Sequence, residues 1–325
     1  MSSDTKGFLH ACLLDGNGGM ASFNPDKLDD WDPTHGALWL HLDLTADWTT
    51  TWLAEKSGLD PLAIEALATV ESRPRVTRLG KGLLLAFRGV NLNEGAMPDD
   101  MIGIRVWLDE HRVITSQRRQ LRSVSDVVQA LKLSEGPETS AGIITELARR
   151  LVTRMSDTVD NLEELIADLE DQTLHTTNRE TRFALANLRR QIIALRRYLA
   201  PQREALASLV TLKLAWLTDE DRISLRETGD RLLRHLEDLD AIRERAAVTQ
   251  EELQSRLAEQ QNVRMYVLSI VAAIFLPLGF LTGLLGINVG GIPGAENSAS
   301  FWIFVGFLTM IVAFQLVFFR KRKWF

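Results

Sequence analysis

Two uncharged stretches constrain this chain more than anything else in it. Residues 265–285 are mostly Leu, Ile, Val, Phe and Ala with no charged side chain, and in residues 301–319 Gln315 is the only strongly polar group. An α-helix needs about 20 apolar residues to cross the roughly 30 Å of bilayer hydrocarbon, so each stretch reads as a membrane span. The rival is a buried helical hairpin in a soluble core. The closing run Arg320-Lys321-Arg322-Lys323 counts against it, because positive charge beside a span sits on the cytoplasmic side. Two spans return the N-terminus to that side, and residues 1–9 lack the basic-then-apolar pattern of a signal peptide. The expectation is a multi-pass protein of the plasma (inner) membrane with both termini cytoplasmic and residues 286–300 outside. Pro277, inside the first span, frees one helical carbonyl that a neighbouring helix should satisfy.

The net charge of −6 over 325 residues hides a split. Residues 263–325 hold five Lys/Arg and one Asp/Glu, whereas the first 262 hold 32 basic and 42 acidic groups. An acidic body on an apolar tail with a basic end excludes nucleic acid as a partner and points to cations and a lipid bilayer. Cys12, the single cysteine, excludes an internal disulfide and a zinc site made of cysteine alone.

The fold class expected is an α+β cytoplasmic domain, α/β/α-like, with a very long stalk helix and two transmembrane helices. Domain boundaries are placed at 1–135 for the α/β domain, 136–262 for a helical region that includes the stalk, and 263–325 for the membrane domain. Within the last, the spans are 263–285 and 301–319, the outer loop is 286–300 and the tail is 320–325. Strands are predicted at 8–14, 37–44, 83–91, 102–108 and 113–116 from short apolar or alternating runs. Asp60-Pro61 is an N-cap followed by proline, opening a helix through Ala68. After Leu121 the pattern is helical, with Met155, Val159, Leu162, Leu165/Ile166 and Leu169 at spacings of three and four. Thr177 and Glu180 form a capping box for a second long helix, expected to be interrupted near Pro201. A third begins at Thr218 with Asp221 three residues on, and carries Leu225, Leu232, Leu236, Leu239, Ala246, Leu253 and Leu257 on one stripe. With no breaker before Pro277 it would be about 100 Å long at 1.5 Å per residue.

Two helices cannot enclose a water-filled path, so a pore of this topology needs several copies around an axis. On the first span Asn262, Met265, Ser269, Ala272, Leu276, Gly279, Gly283 and Gly286 recur at three and four, most of them small or polar. The other side carries Ile270, Ile274, Leu278, Phe280 and Leu281. Gly279 and Gly283 could alternatively be a helix-packing motif.

Gly286-Ile287-Asn288 at the end of the first span, the glycine-rich loop after it and the basic C-terminus resemble the CorA family of divalent metal-ion transporters, whose motif here is Gly-Met-Asn. The isoleucine variant, followed by Val289-Gly290-Gly291-Ile292-Pro293-Gly294, resembles the zinc-transporting ZntB branch. His41-Leu42-Asp43-Leu44, the run from Gly58 to Ala63, and Arg73-Pro74-Arg75-Val76 resemble the family's cytoplasmic domain, so the likeness spans nearly the whole chain. The resemblance implies a homopentameric funnel, with the first span lining the pore and five Asn288 side chains at the outer mouth.

Neither span holds Asp, Glu, His or Cys, so a bare divalent ion would find no strong ligand there. Asn288 amides, freed carbonyls and the Ser269 hydroxyl suit a hydrated cation, which makes Gly286, Ile287 and Asn288 an outer-sphere filter with no inner-sphere metal site. Zinc rests on the branch resemblance alone; magnesium or cobalt is the alternative cargo. Glu296 is the one charged group of the outer loop, read either as attracting cations to the mouth or as a solvated loop residue. Met265 and Leu276 would form apolar rings able to gate by dewetting. Asp157, Asp160, Glu164, Asp168 and Asp171 make a carboxylate stripe, read as a solvated face or an electrostatic reservoir. His10 and Cys12 share a strand face and read as structural. No phosphate-binding glycine loop or catalytic constellation is present, so an enzyme is not expected and no cofactor is implied. A membrane-anchored cytoplasmic scaffold or enzyme is the alternative from another class. Protons remain a candidate coupling ion, and the direction of transport stays open.

Overall fold

The computed structural model describes residues 7–69, 73–175, 179–286, 294, 297 and 299–321. It divides into two compact units, Met1–Gln250 and Glu251–Phe325.

The first unit contains a seven-stranded sheet of β1 (Phe8–Leu14), β2 (Met20–Ser22), β3 (Leu38–Asp43), β4 (Arg75–Leu79), β5 (Gly82–Gly89), β6 (Ile102–Leu108) and β7 (Arg112–Gln117). Their order is β2-β1-β3-β7-β6-β5-β4. β3 and β7 run parallel, and the other described pairings are antiparallel. The period of two in β3 sends Leu38, Leu40 and Leu42 to one face, where they pack with Trp52, Leu53, Ala63 and Leu67 of α1 (Asp47–Glu55) and α2 (Pro61–Ala68). Each such burial contributes roughly 1.5–3 kcal/mol. Trp39 and His41 point to the other face. There a Cβ added at Gly89 would lie 2.6 Å from Leu151 Cδ2 and 2.8 Å from Leu121 Cδ1, so the ends of those two side chains would have to shift to admit it. Leu121 precedes α3 (Arg122–Lys132), and Leu151 belongs to α4 (Ser140–His175).

That second face holds polar groups. Trp39 Nε1 donates to Thr115 Oγ1 at 3.0 Å, and His41 Nδ1 lies 2.7 Å from the same oxygen. Burial, then the neighbouring His10, pushes the His41 pKa down to about 3. The folded state therefore excludes a proton that the unfolded chain binds near pH 6.5. His41 contributes stability that is fully present above about pH 6.5 and is lost as pH falls toward 3. Chemical denaturation followed by tryptophan fluorescence should show a loss of about 2 kcal/mol between pH 6.5 and 4.5 from this group. His41→Gln should flatten that slope; an unchanged slope would assign it elsewhere. Cys12 on β1 is also deep in the unit, 3% exposed, and burial pushes its thiol up to about 12.

The helix starts follow from local chemistry. Asp60 accepts from the Leu62 N–H at 2.8 Å with Pro61 as the first helical residue. Thr218 and Asp221 cap each other: the Asp221 N–H donates to Thr218 Oγ1 and the Thr218 N–H to Asp221 Oδ2, both at 3.1 Å. They open α6 (Asp219–Leu285), a single helix of 67 residues. Leu225, Leu232, Leu236, Leu239, Ala246 and Leu253 are buried along its predicted stripe, and Leu257 is half-buried. In the first unit, Glu170 of α4 accepts two hydrogen bonds from Arg245 of α6 at 3.0 and 2.6 Å. On α4 Met155, Val159, Leu162, Ile166 and Leu169 are buried, while Leu165 faces out.

The break expected near Pro201 is absent: α5 (Arg179–Thr211) runs through it. Proline removes one rung of the helix, and the buried Leu199, Gln202, Ala205, Leu206 and Leu209 hold the backbone in register on either side. Gln202 Oε1 also accepts from the Arg88 N–H of β5 at 2.7 Å. Thr177, the predicted cap of α5, lies outside the described residues.

Candidate functional site

In the second unit, α6 continues through residues 251–285 and α7 (Ser300–Lys321) follows. Both helices are long and apolar enough to cross a membrane. Asn297 and Gly294 build the start of α7. Asn297 Oδ1 accepts from the Ala299 N–H at 3.0 Å, and Ser300 Oγ donates to Gly294 O at 2.8 Å.

The proline in α6 is answered across the helix pair. Pro277 has no N–H, so the Ala273 carbonyl four residues earlier loses its helical donor. Gln315 Nε2 of α7 donates to that carbonyl at 3.4 Å. The one strongly polar side chain within residues 301–319 of α7 thus meets the α6 carbonyl that Pro277 frees. The sequence held both halves of this contact, a proline in one span and a lone amide in the other, without showing that they meet. A double-mutant cycle tests the link. Gln315→Leu should destabilise the chain by about 0.5–1.5 kcal/mol, and by much less when Pro277→Ala has restored the N–H. Additive effects in reversible detergent unfolding would show that the contact carries no coupling.

The predicted lining residues Asn262, Met265, Ser269, Ala272, Leu276, Gly279 and Gly283 are all exposed, Met265 at 67% and Leu276 at 71%. Among the described residues, a Cβ added at Gly279 or Gly283 would meet nothing within 4 Å. These glycines therefore do not serve close packing against α7. Ile270 is buried on the other side, and Ile274, Leu278 and Leu281 are half-buried there. Phe280, placed by the sequence on that side, is 68% exposed.

The polar chemistry of the open face is that of acceptors. Ser269 Oγ donates its hydrogen to Met265 O at 2.8 Å, which leaves its lone pairs outward. Thr282 makes the same kind of bond toward Leu278 O at 2.9 Å, but on the ridge of Ile270, Ile274 and Leu278 and not on the open face. Waters bound to a cation turn their hydrogens outward, so outward acceptors are the groups that can hold a hydrated ion. Gly286 closes α6 by donating to Thr282 O at 2.9 Å. Ile287, Asn288 and Glu296 lie outside the described residues.

Elsewhere, Asp157, Asp160, Glu164, Asp168 and Asp171 are all exposed on α4. His10 stacks on His41 with ring centroids 5.9 Å apart. No group of three or more His, Cys, Asp or Glu among the described residues could hold a metal ion.

The family model described as CorA-like Mg2+ transporter protein matches residues 34–321. The divalent cation transporter CmaX of Pseudomonas aeruginosa is 39% identical over 99% of this chain and 98% of its own length. The zinc transport protein ZntB of Yersinia enterocolitica is 38% identical over 97% of this chain and 95% of its own. The solved structure of full-length CmaX superposes with a TM-score of 0.87 at 36% identity, covering all of both chains.

Proposed function

The chain belongs to the CorA-like transporter family and is a divalent-cation transporter, not an enzyme, and from that premise we propose that it carries zinc as a homopentamer through a pore lined by the first span. The observation that carries this reading is the open face of α6. In one chain Ser269, Ala272, Gly279 and Gly283 are exposed on it beside the larger Met265 and Leu276, with no described atom within 4 Å of a Cβ added at either glycine. Copies of the same face around an axis would give a continuous, weakly polar lining.

Zinc is supported by the whole-length likeness to a zinc transport protein and by Ile287 in the filter motif. Magnesium or cobalt is the second reading, and the description of the family names magnesium. On this proposal Gly286, Ile287 and Asn288 form the filter at the outer mouth, with Asn288 acting through the ion's hydration shell. Glu296 raises the local cation concentration, and Met265 and Leu276 set the apolar constriction. Residues 1–262 and the C-terminus face the cytoplasm, with the chain in the inner membrane and protons a candidate coupling ion.

Purified protein in liposomes should pass zinc and not magnesium, with a detergent-corrected mass near five copies. Magnesium flux without zinc flux would exchange the cargo. A monodisperse monomer with full flux would end the pore reading.

A further inference from the structure

The first unit contains a basic cavity that the transport reading does not use. Arg88 of β5, Arg105 of β6, Arg118 and Arg119 after β7, and Arg197 of α5 surround a space of about 340 Å³ together with Asp99 and Asp100. Five guanidinium groups thus face two carboxylates, in a part of the chain that is acidic overall. One carboxylate is already committed. Asp100 accepts from both terminal nitrogens of Arg119, and this pairing holds its carboxyl below the ordinary range.

The remaining cations are held in place. Arg88 Nη1 donates to Met101 O at 2.9 Å, and its guanidinium lies 4.0 Å from the centre of the Tyr198 ring. Arg197 approaches the same ring at 5.4 Å. Arg105 is 4% exposed, and burial, with Arg88 and Arg118 nearby, pushes its pKa down to about 10. Arg105 Nη1 donates to Gly103 O at 3.4 Å, which fixes its guanidinium at the wall of the cavity.

We propose that this cavity binds a compact, multivalent oxyanion of the phosphate class. Guanidinium forks match pairs of oxyanion oxygens and gain in both geometry and charge from them. The space exceeds a single orthophosphate and suits an ion of pyrophosphate size. A nucleobase is disfavoured, because guanidinium groups already lie against Tyr198, the cavity's aromatic ring. No described lining residue belongs to α6 or α7, so the site stands or falls independently of the cargo.

The test is calorimetric titration of the full-length protein in detergent with pyrophosphate, at ionic strength held constant with sodium chloride. Saturable binding of one ion per chain is expected. Arg118→Gln and Arg197→Gln, both at exposed positions, should each weaken it by about tenfold or more, and together should abolish it. Arg179→Gln, on α5 but outside the cavity, should leave it unchanged. Absence of saturable binding, full binding by the double variant, or an equal loss with Arg179→Gln would each overturn the proposal.

Discussion

Asn288→Ala is expected to lower metal flux by at least about tenfold while leaving the oligomer and its thermal stability unchanged. The substitution alters no charge, so it leaves the attraction of cations to the mouth intact. On the proposed filter, it removes one amide per chain from the mouth where a hydrated ion would meet protein acceptors. Asn288→Gln keeps the amide one carbon further out and should fall between the two. Isotope uptake into liposomes at limiting metal, read beside a light-scattering mass, measures both quantities at once. Wild-type flux in the alanine variant would remove Asn288 from the filter.

Gly279→Leu should be nearly as severe, by a different route. Among the described residues no atom lies within 4 Å of a Cβ placed there, and leucine is a better helix former than glycine by roughly 1 kcal/mol, so the fold should not suffer. If the face lines a pore, bulky apolar side chains projecting from every copy should narrow it and expel water, with flux falling by about tenfold or more. The oligomer should persist. If Gly279 is instead where neighbouring chains pack, the oligomer should fall apart. Native mass measurement separates the outcomes, and loss of assembly would move this face from the lumen to the interface.

What could be read from the sequence is what local chemistry decides. The two long apolar helices, the Asp60 and Thr218 caps and the strands at 8–14 and 102–108 need only local context in the sequence. β2 and β4 escaped notice because their side chains are mostly exposed and show no apolar alternation. α1 escaped because Ala46 provides no side-chain cap and its first turns are rich in threonine. Pro201 misled because a proline's local cost is visible in sequence, whereas the packing that outweighs it is not. The exposed face of α6 that carries Ser269, Ala272, Gly279 and Gly283 was legible as a periodicity of small residues. The arginine cavity was not, since its residues span positions 88 to 198 and meet only once the sheet and α5 are folded. Gln315 and Pro277 show the same limit on a smaller scale.

The deep burial of Cys12 has a practical consequence for all of this. Thiol reagents attack the thiolate, and a group pushed up to about 12 inside a sheet offers almost none of it at neutral pH. The natural chain is therefore a silent background for single-cysteine chemistry, without a cysteine-free version having to be made first. Cysteines introduced one at a time along α6, at 262, 265, 269, 272, 276, 279 and 283, would each be the sole reactive position. Their rates of modification by a small charged thiosulfonate would chart, residue by residue, where water reaches.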